Sequence, residues 1–321
     1  MPTDSNANLA QSSNHSNSTS TPSSKLKCRG GMPAEQDLRE NDFSFIQKLI
    51  YERTRINLGS EKRQLVTARL SRRIRERGCD SIGSYCRILR EEPEAREIDH
   101  LIDAISTNHT YFFRELNHFR FLVNQALPEF ANGQMGNKRF FSSRSCACST
   151  GEEPYSLAMN LAEQSNDSLY WRWKIECSDV SSRVLEVASK GVYSYSQLQT
   201  VNRQRIQRFL EKGDGRNEGL YRIRTSLRKH LRFRKLNLFQ ESFPWEHKFQ
   251  VIFCRNAMIY FDRKSRQQLV NRLSEHLVPG GYLMTGHAES LTGINHPYRM
   301  IQPEVYRLSK PSDKQGSYRS F

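Results

Sequence analysis

Cys148-Ser149-Thr150-Gly151-Glu152-Glu153-Pro154-Tyr155-Ser156 joins an apolar, strand-like stretch, Phe140–Cys148, to a helical pattern, Pro154–Gln164. Pro154 suits the first turn of a helix, where its missing N–H leaves nothing unsatisfied. A strand that passes into a helix through a short glycine-containing turn is the opening unit of a parallel sheet wound on both faces. In such sheets ligands bind outside the carboxyl ends of the strands, so this turn faces a ligand crevice. It is not GxGxxG, and without GK[ST] it is not a phosphate loop. Glu152 and Glu153 suit the positive end of a helix dipole and repel a phosphate. Locally the segment is either an ordinary helix start or a seat for a cation.

The alternation continues downstream. Trp171–Ser178 reads as a strand, Ser182–Lys190 as a helix, Phe249–Cys254 as a buried strand, and Arg263–Leu277 as a helix with Leu269, Leu273 and Leu277 on one stripe. Pro279-Gly280-Gly281 predicts a turn into the strand Tyr282–Gly286, and Tyr298–Leu308 a closing antiparallel hairpin. Asp179 closes the second strand, where an acid either accepts hydrogen bonds from ribose hydroxyls or caps the helix from Ser182. Between Gly191 and His230 the alternation breaks into a helix (Arg203–Leu210), a turn (Lys212-Gly213-Asp214-Gly215) and period-two segments. Tyr221-Arg222-Ile223-Arg224 and Leu231-Arg232-Phe233-Arg234 predict a small antiparallel insertion with one basic face.

Upstream the pattern is helical. Phe43, Ile46, Leu49 and Ile50 recur at helix spacing, as do Ile98, Leu101, Ile102 and Ile105, with Gly59-Ser60, Gly78 and Pro93 as punctuation. A helix from about 115 to 131 links this region to the sheet. Residues 1–37 are rich in Ser, Asn and Thr, too polar to offset their ordering entropy. The expected organisation is a tail (1–37), an all-helical domain (38–131), a sheet domain (132–310, with 191–230 inserted) and a second tail (311–321).

The 321 residues suffice for two modest domains. Forty-nine Lys+Arg against 34 Asp+Glu give a net charge of +15, a field that draws nucleic acid, anionic lipid or acidic protein. The seven cysteines form no CxxC pair, which fits a reduced compartment and leaves no zinc spacing. No run of about 18 apolar residues predicts a membrane-spanning helix. The N-terminus is not a secretory signal.

Three segments, CSTGEEPYSLA (148–158), TNHTYFFRE (Thr107–Glu115) and FCRNAMIYFD (Phe253–Asp262), resemble the CheR family of chemotaxis receptor methyltransferases. The resemblance runs from about Phe43 to Leu308. It implies an α/β fold: a doubly wound, Rossmann-like S-adenosylmethionine-dependent methyltransferase sheet with an N-terminal all-helical domain and a small antiparallel β insertion. The ammonium and sulfonium of S-adenosylmethionine are cations that the two glutamates welcome. The resemblance implies cofactor contacts from Asn108, Thr110, Arg114 and Glu153. It gives Asp179 the ribose, sets Asn237 and Leu238 beside the adenine, and lines the cofactor site with Arg255 and Asn256. Arg114 and Tyr260 then face the reacting methyl. S-adenosylhomocysteine is the product, and no metal is called for.

In the family, the basic helix matching Glu61–Arg77 docks on the acidic helices of methyl-accepting chemotaxis receptors. This implies receptor contacts from Arg69, Arg72, Arg73 and Arg75. Some members also bind a receptor C-terminal peptide at the β subdomain, and Gly213-Asp214-Gly215 with Glu218-Gly219 resembles their version. A cytoplasmic monomer recruited to membrane receptor arrays follows, with neither nucleic acid nor membrane insertion expected. One departure is Arg144, which stands where the family commonly has a large apolar residue.

A glutamate acceptor, with a pKa near 4.3, is ionised at pH 7 and needs no general base. Two other readings compete. An RNA methyltransferase fits +15, but the fourth strand ends in CRNAMIY rather than Asn/Asp-Pro-Pro-Tyr, and no Pro-Cys nucleophile occurs. A non-catalytic binding module on the same fold is opposed by the intact Arg114, Glu153, Asp179 and Tyr260 set.

Overall fold

The computed structural model describes residues 38–91, 96–136, 139–167 and 171–310. The two expected tails, 1–37 and 311–321, and Pro93 lie outside these residues.

Four helices form the N-terminal unit: α1 (Glu40–Thr54), α2 (Arg63–Glu76), α3 (Ile82–Glu91) and α4 (Arg96–Ile105). Their apolar stripes meet in one core, which holds Phe43, Ile46, Ile50, Val66, Leu70, Ile74, Leu101 and Ile105. The linking helix is a composite of α5 (Leu116–Phe121), a π-helical stretch (Leu122–Ala126) and α6 (Leu127–Ala131).

The sheet domain opens with β1 (Phe140–Cys146), α7 (Glu152–Asp167), β2 (Arg172–Asp179) and α8 (Ser182–Lys190). Ser181 starts α8 by accepting the Val184 N–H, and Gly191 stops it in the left-handed region at φ 60°. The insertion contains β3 (Val192–Ser194), α9 (Arg203–Phe209), β4 (Leu210–Lys212) and β5 (Leu220–Ile223). Then follow α10 (Thr225–Arg228), β6 (Leu231–Lys235), β7 (Phe249–Cys254), α11 (Arg263–Glu275), β8 (Leu277–Thr285), β9 (Tyr298–Gln302) and β10 (Val305–Leu308). The main sheet runs β6-β2-β1-β7-β8-β10-β9. It is parallel through β8, and β10 and β9 close it antiparallel. Every residue of β7 is buried, as a strand covered on both faces requires.

Two expectations are corrected. The period-two segment Leu231–Arg234 belongs to the main sheet, where β6 pairs parallel with β2. Only β3, β5 and β4 form the antiparallel insertion. A parallel edge strand with one open face alternates just as an antiparallel one does, so the pattern does not separate them. Pro279-Gly280-Gly281 is not a turn between elements but a bulge inside β8. Phe249 pairs with Leu277 and Val251 with Tyr282, so the residues between are looped out of register. Gly281 allows this, because a Cβ there would lie 2.9 Å from the Gln250 and Val278 carbonyl oxygens.

Arg144 keeps its place in β1, opposite Glu176 of β2 and Ile252 of β7. Its side chain is fully buried between the rings of Phe243 and Trp245, 4.2 and 4.1 Å from their centroids. Stacking on two rings compensates part of its dehydration, at about 0.5–2 kcal/mol per ring. Its three nitrogens nonetheless lack hydrogen-bond partners, and burial draws the guanidinium pKa down. Arg144→Met keeps an unbranched apolar stem and removes the three unpartnered guanidinium nitrogens. Urea unfolding is expected to show unchanged stability or a gain of about 1–3 kcal/mol. A loss above 2 kcal/mol would mean that the cation–ring stack outweighs the desolvation.

Candidate functional site

Four loops, at the carboxyl ends of β1, β2, β6 and β7, converge on one cavity, and the helical unit supplies a further wall. Asn108, Thr110, Arg114, Glu153, Asp179, Asn237, Leu238, Arg255, Asn256 and Tyr260 all line it. Sequence positions more than 150 residues apart are thus brought together. Thr54, Ile56, Leu58, Lys62, Leu65 and Arg69 face them from the helical unit.

The backbone around the cavity is held in unusual conformations. Phe113, Glu115, Ala147, Ser149 and Asn256 all have φ between 49° and 57°. Each left-handed non-glycine residue costs on the order of 1–3 kcal/mol and persists only where its surroundings over-determine it. At the β1–α7 turn the surroundings are Asp179. Its Oδ2 accepts the Ser149 N–H and its Oδ1 the Ser181 N–H, both at 2.9 Å. Burial raises its pKa, against the pull of these N–H donors. The helix cap is Ser181, so Asp179 is not the N-cap of α8. The Val180 N–H adds to the same carboxylate, whose two oxygens still have acceptor capacity for a ligand hydroxyl.

Glu153 and Arg255 form the floor. The Arg255 Nη1 donates to Glu153 Oε2 at 3.1 Å, and Ser145 Oγ donates to Glu153 Oε1 at 2.7 Å. Burial pushes the Glu153 carboxyl up, and Arg255 pulls it back. The same guanidinium donates through Nε and Nη2 to Glu115 Oε2, at 3.1 and 2.9 Å. Glu115 also feels burial, but Arg255 and Asn256 outweigh it and leave the carboxyl below its ordinary value. His118, behind this pair, is held neutral: burial and then Arg255 push it down to about 3.

The remaining side chains divide between engaged and available. Asn237 is occupied within the protein, donating to the Arg53 carbonyl and accepting the Phe239 N–H at 2.9 Å. Arg114 donates to the His109 carbonyl at 2.9 Å and lies over the Tyr111 ring. The Asn108 Nδ2, in contrast, is buried in the wall without a partner. An unsatisfied donor on one side, with Glu153 and Asp179 on the other, fits a zwitterionic ligand that carries a carboxylate, cationic centres and hydroxyls. That donor set fits S-adenosylmethionine.

The basic helix does not present its four arginines as one face. Arg72 is 81% exposed beside Glu76, and Arg75 is exposed. Arg73 lies along the buried stripe of Val66 and Leu70, its guanidinium against the buried Glu97 at 2.6 Å. Arg69 turns to the Ile105 carbonyl and Thr107 Oγ1 and lines the cavity. The charge count of the helix did not show which cations are committed inward. Glu115 was missed as well. It stood in the Thr107–Glu115 segment without a role, and its signal was an acid directly after Arg114.

The family description "CheR methyltransferase, all-alpha domain" matches residues 41–106, and "CheR methyltransferase, SAM binding domain" matches residues 108–307. The chain is 37% identical over 292 residues to a chemotaxis protein methyltransferase of Salmonella typhimurium, covering 91% of this chain and 98% of that one. It is 37% identical to the Escherichia coli protein of the same name, covering 85% and 92%. It is 35% identical to that of Borreliella burgdorferi, covering 84% and 95%.

Replacing Asp179 by Asn turns one acceptor of the loop cage into a donor facing an N–H. S-adenosylhomocysteine affinity, measured by titration calorimetry, is expected to fall at least about tenfold, since an unsatisfied buried group costs roughly 1–3 kcal/mol. Unchanged affinity would remove Asp179 from the cofactor site.

Proposed function

The chain belongs to the CheR methyltransferase family and is an S-adenosylmethionine-dependent methyltransferase, and we propose that it esterifies the γ-carboxylates of glutamates on the cytoplasmic helices of chemotaxis receptors. The observation that carries the acceptor is that Arg114 and Tyr260 line the same cavity, whose carboxylates are already engaged, Glu153 by Arg255 and Ser145 and Asp179 by the Ser149 and Ser181 N–H groups. When bound, S-adenosylmethionine supplies a methyl on a sulfonium, a good leaving group.

The residues have three tasks. Glu153, Asp179 and Asn108 hold the cofactor through its cationic, hydroxyl and carboxylate groups. Arg114, 26% exposed at the cavity wall, binds the incoming carboxylate by a charge-assisted hydrogen bond. Tyr260, half-buried, donates its O–H to the same carboxylate. Since the acceptor is already an anion, no proton is moved before transfer. Rate comes from alignment, which is worth up to about 7–11 kcal/mol. Both donors lose a charged partner as the ester forms, which favours release of the product.

The receptor approaches along α2. Arg72 and Arg75 give the outer, steering charges, while Arg69 reaches the cavity wall. Acidic helices are the complement of this surface. The outer strands of the insertion, β3 and β4, each leave one edge open in their three-stranded sheet. An extended receptor C-terminal peptide would add to such an edge. Among the described residues no helix is long and apolar enough to cross a membrane. A cytoplasmic protein gathered at receptor arrays by these contacts is the setting this reading requires.

Incubation with radiolabelled cofactor and receptor-containing membranes, followed by mild base, is expected to release volatile methanol. Base-stable label, or label on RNA, would overturn the ester reading, and no transfer at all would favour a binding module. Arg114→Ala is expected to lower transfer by at least about a hundredfold, as loss of a charged contact that aligns the reactants does; near-normal turnover would remove its role. Arg72→Glu is expected to raise KM for receptor membranes several-fold at low salt, with kcat unchanged. The difference should shrink as salt shortens the Debye length to about 3 Å near 1 M.

A further inference from the structure

Gly286-His287-Ala288-Glu289-Ser290 leaves the carboxyl end of β8, on the side of the sheet where the cavity opens. Glu289 is fully buried and lies outside the cavity lining. Its Oε2 accepts the N–H groups of Asn256 and Gly286, both at 2.7 Å, and its Oε1 accepts that of Ile259 at 3.1 Å. The Met258 N–H adds to the same carboxylate. Three of the four residues from Asn256 to Ile259 therefore hang on one side chain.

Those residues carry Tyr260. They leave β7 through Asn256 at φ 56° and pass into a single 3-10 turn, Met258–Tyr260. Beyond it the helical unit takes hold. The Asn57 N–H donates to the Tyr260 carbonyl at 2.7 Å, Ile56 bridges Phe261, and the Tyr51 hydroxyl donates to Asp262 at 2.5 Å. The loop is thus fixed at one end by a carboxylate and at the other by a second domain, with the Tyr260 side chain between.

We propose that Glu289 is a positioning residue for methyl transfer, holding the Asn256–Tyr260 loop so that the Tyr260 hydroxyl meets the acceptor; this rests on the role given to Tyr260 above. A carboxylate suits the place because every partner is a donor. It offers lone pairs on both oxygens, whereas an amide would turn an N–H toward one of the loop's own N–H groups. Backbone strain at Asn256 then persists because the cage over-determines it.

The test is a double-mutant cycle on the full chain, read as kcat and KM for receptor membranes with S-adenosylhomocysteine affinity alongside. Glu289→Gln is expected to lower kcat on the order of tenfold to a hundredfold, the penalty of a misplaced reacting group. KM and product affinity should stay within about threefold. In the Tyr260→Phe background the same change should cost less than about twofold, since the group being positioned is gone. Equal losses in both backgrounds, or unchanged kcat in Glu289→Gln, would overturn the proposal. Should Glu289→Gln fail to fold, Gly286→Ala decides in its place. A Cβ there would lie 2.6 Å from Asn256 Nδ2 and 2.8 Å from Glu289 Oε2, disturbing the cage with the carboxylate present. A wild-type protein that makes no base-labile ester would sink the acceptor assignment and this inference with it. An active wild type with indifferent variants would sink this inference alone.

Discussion

The buried guanidinium of Arg255 ties the site together. Its side chain is 1% exposed and lies between Glu115 and Glu153, with the Arg114 carbonyl as a further acceptor. These partners come from the linker before α5 and the start of α7, and Arg255 itself stands at the end of β7, so three segments meet. Dehydrating one cation and two acids is expensive, and such a group contributes little net stability against an apolar alternative. What it enforces is relative position. Any arrangement that separates the three segments leaves a charge buried without a partner, which is costlier still. Arg114, Glu153 and Asn256 therefore share one frame, set by a residue that need not touch a substrate.

The same accounting changes the meaning of the chain's +15 charge. Counted on the sequence, it describes a field. In the folded protein many of the cations are internal ties. Arg73 holds Glu97, Arg205 holds Glu163, Arg307 holds Glu129, and Arg144 stacks between two rings. The exposed cationic surface that remains on α2 is smaller than the helix's composition implies, with Arg72 and Arg75 outermost. A short array of exposed cations suits one acidic helix better than the long phosphate track of a nucleic acid.

Much of this was legible in the amino-acid order, and the failures have physical causes. The strand–turn–helix around Gly151 disclosed the parallel sheet because a short strand-like stretch passes there through a glycine turn into a helical pattern. The cavity residues were found where they stand in compact segments at strand ends. β6 was misassigned because alternation records one open face and not strand direction. The bulge at Pro279–Gly281 was read as a turn because glycine marks a close backbone approach in either setting. Arg73 was placed outside because one helix cannot show that Glu97, on another, will bury beside it. Glu289 was invisible for a related reason: its partners are backbone N–H groups, which leave no mark in a sequence.

These misses share a direction: what the sequence hid is mostly what holds the reactive groups, and what it displayed is the groups themselves. That division follows from the chemistry. An ionised acceptor and a sulfonium donor ask for no base, so the protein's contribution is geometric, and geometry is supplied by residues behind the cavity wall. It also explains why the helical unit is bonded into the Tyr260 loop through Asn57 and Tyr51 rather than only covering the cavity. The receptor-docking role proposed for α2 would bring the substrate helix onto the unit that fixes one end of that loop. The carboxylate of Glu289 is the point against which the other end is set, since it accepts the Asn256 and Ile259 N–H groups.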